Sequence, residues 1–250
     1  MCRRAIHPHT VYPCSMRYTW LFLDADGTLF DYRAAEQAAL AESLRQIGVS
    51  YQPDHLASYQ RYNSALWGKL ERGEVTRDVL QSERFRQLLD QYEITADPIA
   101  FNDRYLENLG RRGDLIAGAR SLLETVRGQV GLLLITNGFS RVQRSRLTVS
   151  GLLPLFDSVI ISEEVGSAKP DAGIFDAAFN AARRPRRGDV LIVGDSLSSD
   201  IWGGINYAID TCWYNPAGAP SPDGLTPTHI ISDLAELEPI LSRSEARPID

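Results

Sequence analysis

The chain is expected to be an α/β protein: a doubly wound, Rossmann-like parallel sheet with a helical cap domain inserted after its first strand. Three observations carry that expectation. Short, continuously apolar runs recur along the chain, helical patterns alternate with them, and one long early segment breaks the alternation.

The first apolar run is Tyr18–Leu23, and Gly131–Ile135, Ser158–Ile161, Val190–Val193 and Thr211–Tyr214 follow it. A half-exposed strand would alternate apolar with polar residues. These runs do not, which suits strands covered on both faces. Helical patterns fall between them at Ala119–Arg127, Arg141–Ser150, Ala172–Ala182 and Ser198–Tyr207, and a last helix near Leu234–Leu241 closes the core. Strand, helix, strand implies right-handed crossovers. Between Asp31 and Gly113 there is no convincing strand. Arg33–Ile47, His55–Glu71 and Asp78–Tyr92 read as helices there, punctuated by Gly48, Pro53, Gly73 and Pro98. Residues 31–113 are therefore the expected cap, and residues 17–30 with 114–242 the expected core. Residues 1–16 are expected to be a disordered tail and 243–250 a loose one. Met16 stands directly before the first strand, and translation is expected to start there.

Composition sets the outer bounds. Of 250 residues, 44% are hydrophobic and 23% charged, enough for a sizeable core and incompatible with global disorder. Twenty-six Lys+Arg against thirty-two Asp+Glu give a net charge of −6, which argues against a dedicated nucleic-acid binder. No apolar run approaches the roughly 18 residues of a membrane span, and no signal-peptide pattern is present. Cys2 and Cys14 lie in the tail and Cys212 is alone in the body, so neither a zinc spacing nor an internal disulfide is expected. His7 and His9 beside the tail cysteines make a poor metal site in a Pro-containing tail. A cytoplasmic protein, monomeric or homodimeric, with no nucleic-acid or membrane partner, is the expectation.

Acidic residues gather where strands end. The first strand runs into Asp24-Ala25-Asp26-Gly27-Thr28, another ends at Gly194-Asp195-Ser196 with Asp200 five residues on, and a third ends at Thr136-Asn137-Gly138. Ligands of open α/β sheets bind outside the carboxyl ends of the strands, so these loops can converge. Converging carboxylates repel, and a hard divalent cation held by oxygen offsets that; few carboxylates and few waters suit Mg²⁺ better than Ca²⁺. Asp24 and Asp26, two apart in an extended loop, would project to the same side. One can then attack a phosphorus atom while the other protonates the leaving oxygen. Gly27 permits a turn and Thr28 is expected to hydrogen-bond back across it.

The 26 basic residues include only two lysines, Lys69 and Lys169. A compact ammonium fits between a nucleophilic carboxylate and a phosphoryl oxygen where a guanidinium fork does not. Lys169, in Gly166-Ser167-Ala168-Lys169-Pro170, is the candidate, with Pro170 expected to start the next helix; Lys69 is taken as an ordinary surface residue. Thr136 can donate its hydroxyl to a phosphoryl oxygen, and Asn137 and Gly138 can offer backbone N–H groups. Asp200, in the first turn of a helix, is ranked as holding metal waters rather than as a direct ligand.

Together, Asp24-x-Asp26-x-Thr28, Thr136, Lys169-Pro170 and Gly194-Asp195-x4-Asp200 resemble the four motifs of the haloacid dehalogenase superfamily of hydrolases, in the right order and with a helical insertion between the first and second. The resemblance covers about residues 17–242. Trp20–Phe30, Thr136-Asn137-Gly138-Phe139, Ile161–Gly166 and Asp200–Asn206 look closest to the bacterial pyrimidine 5′-nucleotidase branch. Ala117-Gly118-Ala119 departs from it, because relatives carry Pro before that Gly. The resemblance implies a phosphatase of nucleoside monophosphates. It implies Mg²⁺ held by Asp24, the backbone carbonyl of Asp26, and Asp195, and an aspartyl-phosphate on Asp24. It further implies that Asp26 is the acid and base, and that Lys169 and Thr136 steady the phosphoryl oxygens.

Three alternatives remain. A sugar phosphate or another small ester is an equally good leaving partner for this chemistry. A haloacid dehalogenase would not need the acid at Asp26, since halide leaves without a proton. A receiver-type signalling module accepts phosphate on a middle strand and has no inserted cap. For base contacts, Phe139 is the candidate, whereas Tyr59, Tyr62 and Trp67 have the spacing of packing residues.

Overall fold

The computed structural model describes residues 3–7, 10–13 and 16–242. Six parallel strands form one sheet: β3 (Trp20–Leu23), β4 (Gly131–Thr136), β5 (Ser158–Ile161), β6 (Val190–Gly194), β7 (Asp210–Tyr214) and β8 (His229–Ile231). Their spatial order is β5-β4-β3-β6-β7-β8. The chain thus starts in the middle, winds outward through β4 and β5, returns, and winds the other way from β6. That order is the doubly wound one, and its reversal falls between β3 and β6. Leu23 pairs with Val193 across that junction, and the Asp24 N–H donates to the Val193 carbonyl at 2.9 Å.

Continuous apolarity is explained by burial on both faces. Trp20, Phe22, Leu133, Ile135, Val190 and Ile192 point one way and pack with Ile174, Phe175, Ala178 and Phe179 of α8 (Ala172–Ala181). Leu21, Leu23, Leu132, Leu134, Leu191 and Val193 alternate with them and are also buried. The core further carries α5 (Ala119–Val126), the single turn α7 (Ser162–Val165), α9 (Trp202–Asn206) and α10 (Leu237–Leu241). No described helix is long and apolar enough to cross a membrane.

Contacts divide the chain into two compact units: residues 1–31, 115–140 and 151–250, and residues 32–114 with 141–150. The second unit is helical, built from α1 (Tyr32–Gln46), α2 (Pro53–Glu71), α3 (Arg77–Gln91) and α4 (Pro98–Gly110), with most of α6 (Ser140–Val149). Its centre is aromatic: Tyr59 stacks on Phe85 at 5.2 Å, and Phe101 and Tyr105 complete the cluster. Arg84, 2% exposed, sits against these rings and donates to the Tyr59 hydroxyl, Asn63 and Asn102. Tyr59 is thus a packing residue, as its spacing suggested.

Four elements differ from the sequence expectation. Pro98, taken as punctuation, is the first residue of α4, with Asp97 accepting from the Ala100 N–H at 2.7 Å; an Asp-Pro pair before an apolar periodicity is a helix start. The N-terminal segment, expected to be a tail, forms an antiparallel ribbon of β1 (Arg3–His7) and β2 (Thr10–Pro13), for which Thr10, Val11 and Tyr12 have the β preference. Strand β8 has three residues, too few to register as a run. Cys2, His9, Cys14 and the C-terminal tail lie outside the described residues.

Candidate active site

The candidate residues expected from the sequence gather near the carboxyl ends of the strands of the first unit. Asp24 follows β3, Thr136 ends β4, Asp195 follows β6, and Lys169 comes from the loop between α7 and α8. Lys169 is 1% exposed, and its Nζ donates to Asp24 Oδ1 at 2.5 Å and to the Ile135 carbonyl at 2.7 Å. Asp200, fully buried, pairs with the same ammonium at 2.7 Å. The backbone of Lys169 is anchored as well. Its N–H donates to Asn137 Oδ1, and Asn137 Nδ2 donates back to its carbonyl, each at 2.8 Å. Asn137, expected to contribute through its N–H, also uses its side chain to seat Lys169.

The Asp26–Phe30 turn is closed by backbone. Gly27 N–H donates to the Phe30 carbonyl, and the Leu29 and Phe30 N–H groups to that of Ala25. Thr28 does not hydrogen-bond back as expected: its buried hydroxyl finds no partner among the described residues. Gly27 is required twice over. Its φ is +86°, and a Cβ there would lie 2.3 Å from Asp195 Oδ2. Gly194 is required by close approach alone, since a Cβ would meet Asp200 Oδ2 at 2.1 Å. Asp200 itself rides on a π-helical turn, Leu197–Ile201, and accepts the Ser196 N–H at 3.1 Å. Pro170 follows Lys169 through a cis bond, two residues before α8 begins, and so is not that helix's first residue.

Ligand atoms of Asp24, Asp195 and Asp200 lie within 4.8 Å of one another. Burial holds the Asp24 carboxyl well above the usual carboxylate range; Lys169 pulls it down, and Asp200 and Asp195 push it up again. Asp195 is exposed at the rim, yet the protein packed around its carboxyl, followed by the charge of Asp200, pushes it up to about 7. Burial works against the charged form of Lys169, but the charges of Asp200 and Asp24 outweigh it and hold the ammonium protonated. Three crowded oxygen donors reluctant to ionise together fit a small, hard divalent cation. Asp26 stands outside this trio, half-buried, near enough for its charge to raise Asp195.

Of the residues singled out from sequence, Asp24, Lys169, Asp195 and Asp200 meet directly, and Thr136 is buried at the end of β4 beside Asn137. Phe139 is 8% exposed, which leaves little ring for a base. Lys69 is exposed. Sequence reasoning missed Trp213, whose Nε1 donates to the Asp195 carbonyl at 3.0 Å; no local pattern links β7 to that loop.

Removing the ammonium leaves buried carboxylates unpaired. Lys169→Met is expected to cost about 3–5 kcal/mol of folding stability, as for one-sided removal of a buried ion pair. Urea denaturation without metal measures it. Lys169→Met combined with Asp200→Asn should recover part of the loss, and strict additivity of the two would show that the pair is not coupled.

Known proteins resemble the chain over most of its length. Residues 18–207 match the haloacid dehalogenase-like hydrolase family. The chain is 38% identical to pyrimidine 5′-nucleotidase YjjG of Escherichia coli over 91% of its length and 100% of that protein. It is 34% identical to pyrimidine 5′-nucleotidase PynA of Streptococcus pneumoniae over 92% and 97% of the two chains. Among solved structures, the putative hydrolase YfnB of Bacillus subtilis bound to magnesium superposes with a TM-score of 0.86 at 37% identity, covering 90% of this chain and 99% of that one.

Proposed function

The chain belongs to the haloacid dehalogenase-like hydrolases and is a phosphoric monoester hydrolase, and from that premise we propose that it is a Mg²⁺-dependent 5′-nucleotidase, preferring pyrimidine nucleoside monophosphates and working through an aspartyl-phosphate on Asp24. The observation that carries the chemistry is the Asp24 carboxylate bonded to a buried, charged lysine with Asp195 and Asp200 beside it. The substrate class rests on the two nucleotidase relatives. The inserted helical unit is, in this proposal, the cap.

Asp24 and Asp195, with the Asp26 carbonyl, would hold the ion, which when bound neutralises the repulsion between a phosphate dianion and these carboxylates. Asp24 attacks phosphorus in line as the bond to the 5′-oxygen breaks, and Asp26 gives that oxygen its proton. Asp26 then takes a proton from water, which attacks the same phosphorus and frees Asp24 and inorganic phosphate. Lys169 keeps one Asp24 oxygen fixed, and with Thr136 and the N–H groups of Asn137 and Gly138 it meets the equatorial oxygens, where phosphoryl transfer is mainly stabilised. Asp200 keeps the ammonium charged and aimed.

The test is phosphate release from a panel of nucleoside 5′-monophosphates, sugar phosphates and 2-chloropropionate (the last read as chloride). Pyrimidine monophosphates should lead, and EDTA should silence the release with added Mg²⁺ restoring it. A sugar phosphate turned over faster than every nucleotide would overturn the substrate assignment. Full activity in EDTA would remove the metal from the mechanism.

A further inference from the structure

Arg183, Arg184, Arg186 and Arg187 flank Pro185 in the loop from α8 to β6, four guanidinium groups within five residues of a chain whose net charge is −6. All four are exposed. Arg45, Arg72, Arg86, Arg111, Arg112 and Arg120 each pair with a carboxylate, but among the described residues none of these four does. A helix C-terminus attracts one nearby cation; it does not account for Arg186 and Arg187 beyond the turn. The turn is itself unusual. Arg183 and Arg184 both adopt the left-handed conformation, φ +60° and +54°, where glycine is the ordinary residue.

Arg184 and Arg187 line a cavity of about 450 Å³ together with Asp176, Phe179, Asn180 and Tyr207. Arg187 lies over the Tyr207 ring, 4.5 Å from its centroid, and Arg184 Nε donates to Asn180 Oδ1 at 2.8 Å. Both guanidinium groups are thus braced by neutral partners, with further donors left over. The lining's single carboxylate, Asp176, is engaged by the Tyr207 hydroxyl at 2.5 Å. Because the loop precedes β6, it stands at the opposite end of that strand from Asp195, about 16 Å away.

We propose that this loop and cavity form a second anion site, remote from the catalytic centre, that takes a di- or triphosphate chain, either free or carried by a nucleoside. Guanidinium forks match phosphate oxygens and are weakly hydrated. The cavity has the volume of a small-molecule site, about 300–1,000 Å³. A duplex or a membrane would press its charge against the acidic remainder of the surface, whereas a short chain meets the basic footprint alone.

Calorimetric titration of the full chain in EDTA, with sodium tripolyphosphate, CTP and a single-stranded RNA as separate probes, tests this. Tripolyphosphate and CTP should both bind, more weakly as salt rises. Arg184→Gln/Arg187→Gln should weaken binding at least tenfold and Arg183→Gln/Arg186→Gln about threefold, while Asp24→Asn leaves it unchanged. Equal affinities mean that the phosphate chain suffices; tighter CTP means that the cavity also holds the nucleoside. Either supports the site. No binding, binding unaffected by the Arg184/Arg187 pair, or binding of RNA alone overturns it.

Discussion

Asp24→Asn should lose turnover by about 10⁴–10⁶-fold, the scale seen when the attacking group of a covalent mechanism is removed. An amide oxygen is a poor nucleophile and its phosphoryl adduct would not form. The geometry should survive, because Lys169 can still donate to the amide oxygen where it now meets Asp24 Oδ1. Stability should move the other way. Burial raises the Asp24 carboxyl, so in metal-free protein ionising it costs more in the folded chain than in the unfolded one. Its contribution to stability is complete below the ordinary carboxylate range near pH 4 and is eroded as the pH climbs toward the folded value. Asparagine escapes the erosion. At pH 8 in EDTA, Asp24→Asn should therefore melt no lower than wild type. Near-normal turnover would end the covalent mechanism; a markedly lower melting temperature would mean that Asp24 is needed to build the site.

Asp26→Asn should slow a nucleoside monophosphate by about 10²–10⁴, the usual contribution of a positioned acid and base. The choice of leaving group reveals which step is affected. A nucleoside 5′-oxygen must receive a proton as it departs, whereas nitrophenolate need not. With p-nitrophenyl phosphate the variant should still form the covalent intermediate and release a burst of about one nitrophenolate per active chain. Slow turnover follows, since hydrolysis of the aspartyl-phosphate still lacks its base. Equal slowing of the burst and the nucleotide reaction would assign Asp26 a role other than acid catalysis.

Legibility from sequence followed the range of each interaction. Runs such as Leu132–Ile135 and Val190–Val193 announced buried parallel strands because both their faces are covered, and strand ends then located Asp24 and Asp195. Lys169 stood out by contrast with an arginine-rich chain. Asp200 was found, but its pairing with Lys169 was not, because the partner is 31 positions away and only the fold joins them. The same holds for Asn137 against the Lys169 backbone and Trp213 against Asp195. Pro98 misled because one residue type both breaks helices and begins them; Asp97 was the deciding neighbour.

The scarcity of lysine has a practical side. Of the two in the chain, Lys169 is sealed in and held as an ammonium, which no acylating reagent attacks readily, while Lys69 stands in solvent on α2. Amine coupling to a bead or a dye should therefore engage Lys69 on the helical unit and spare Lys169.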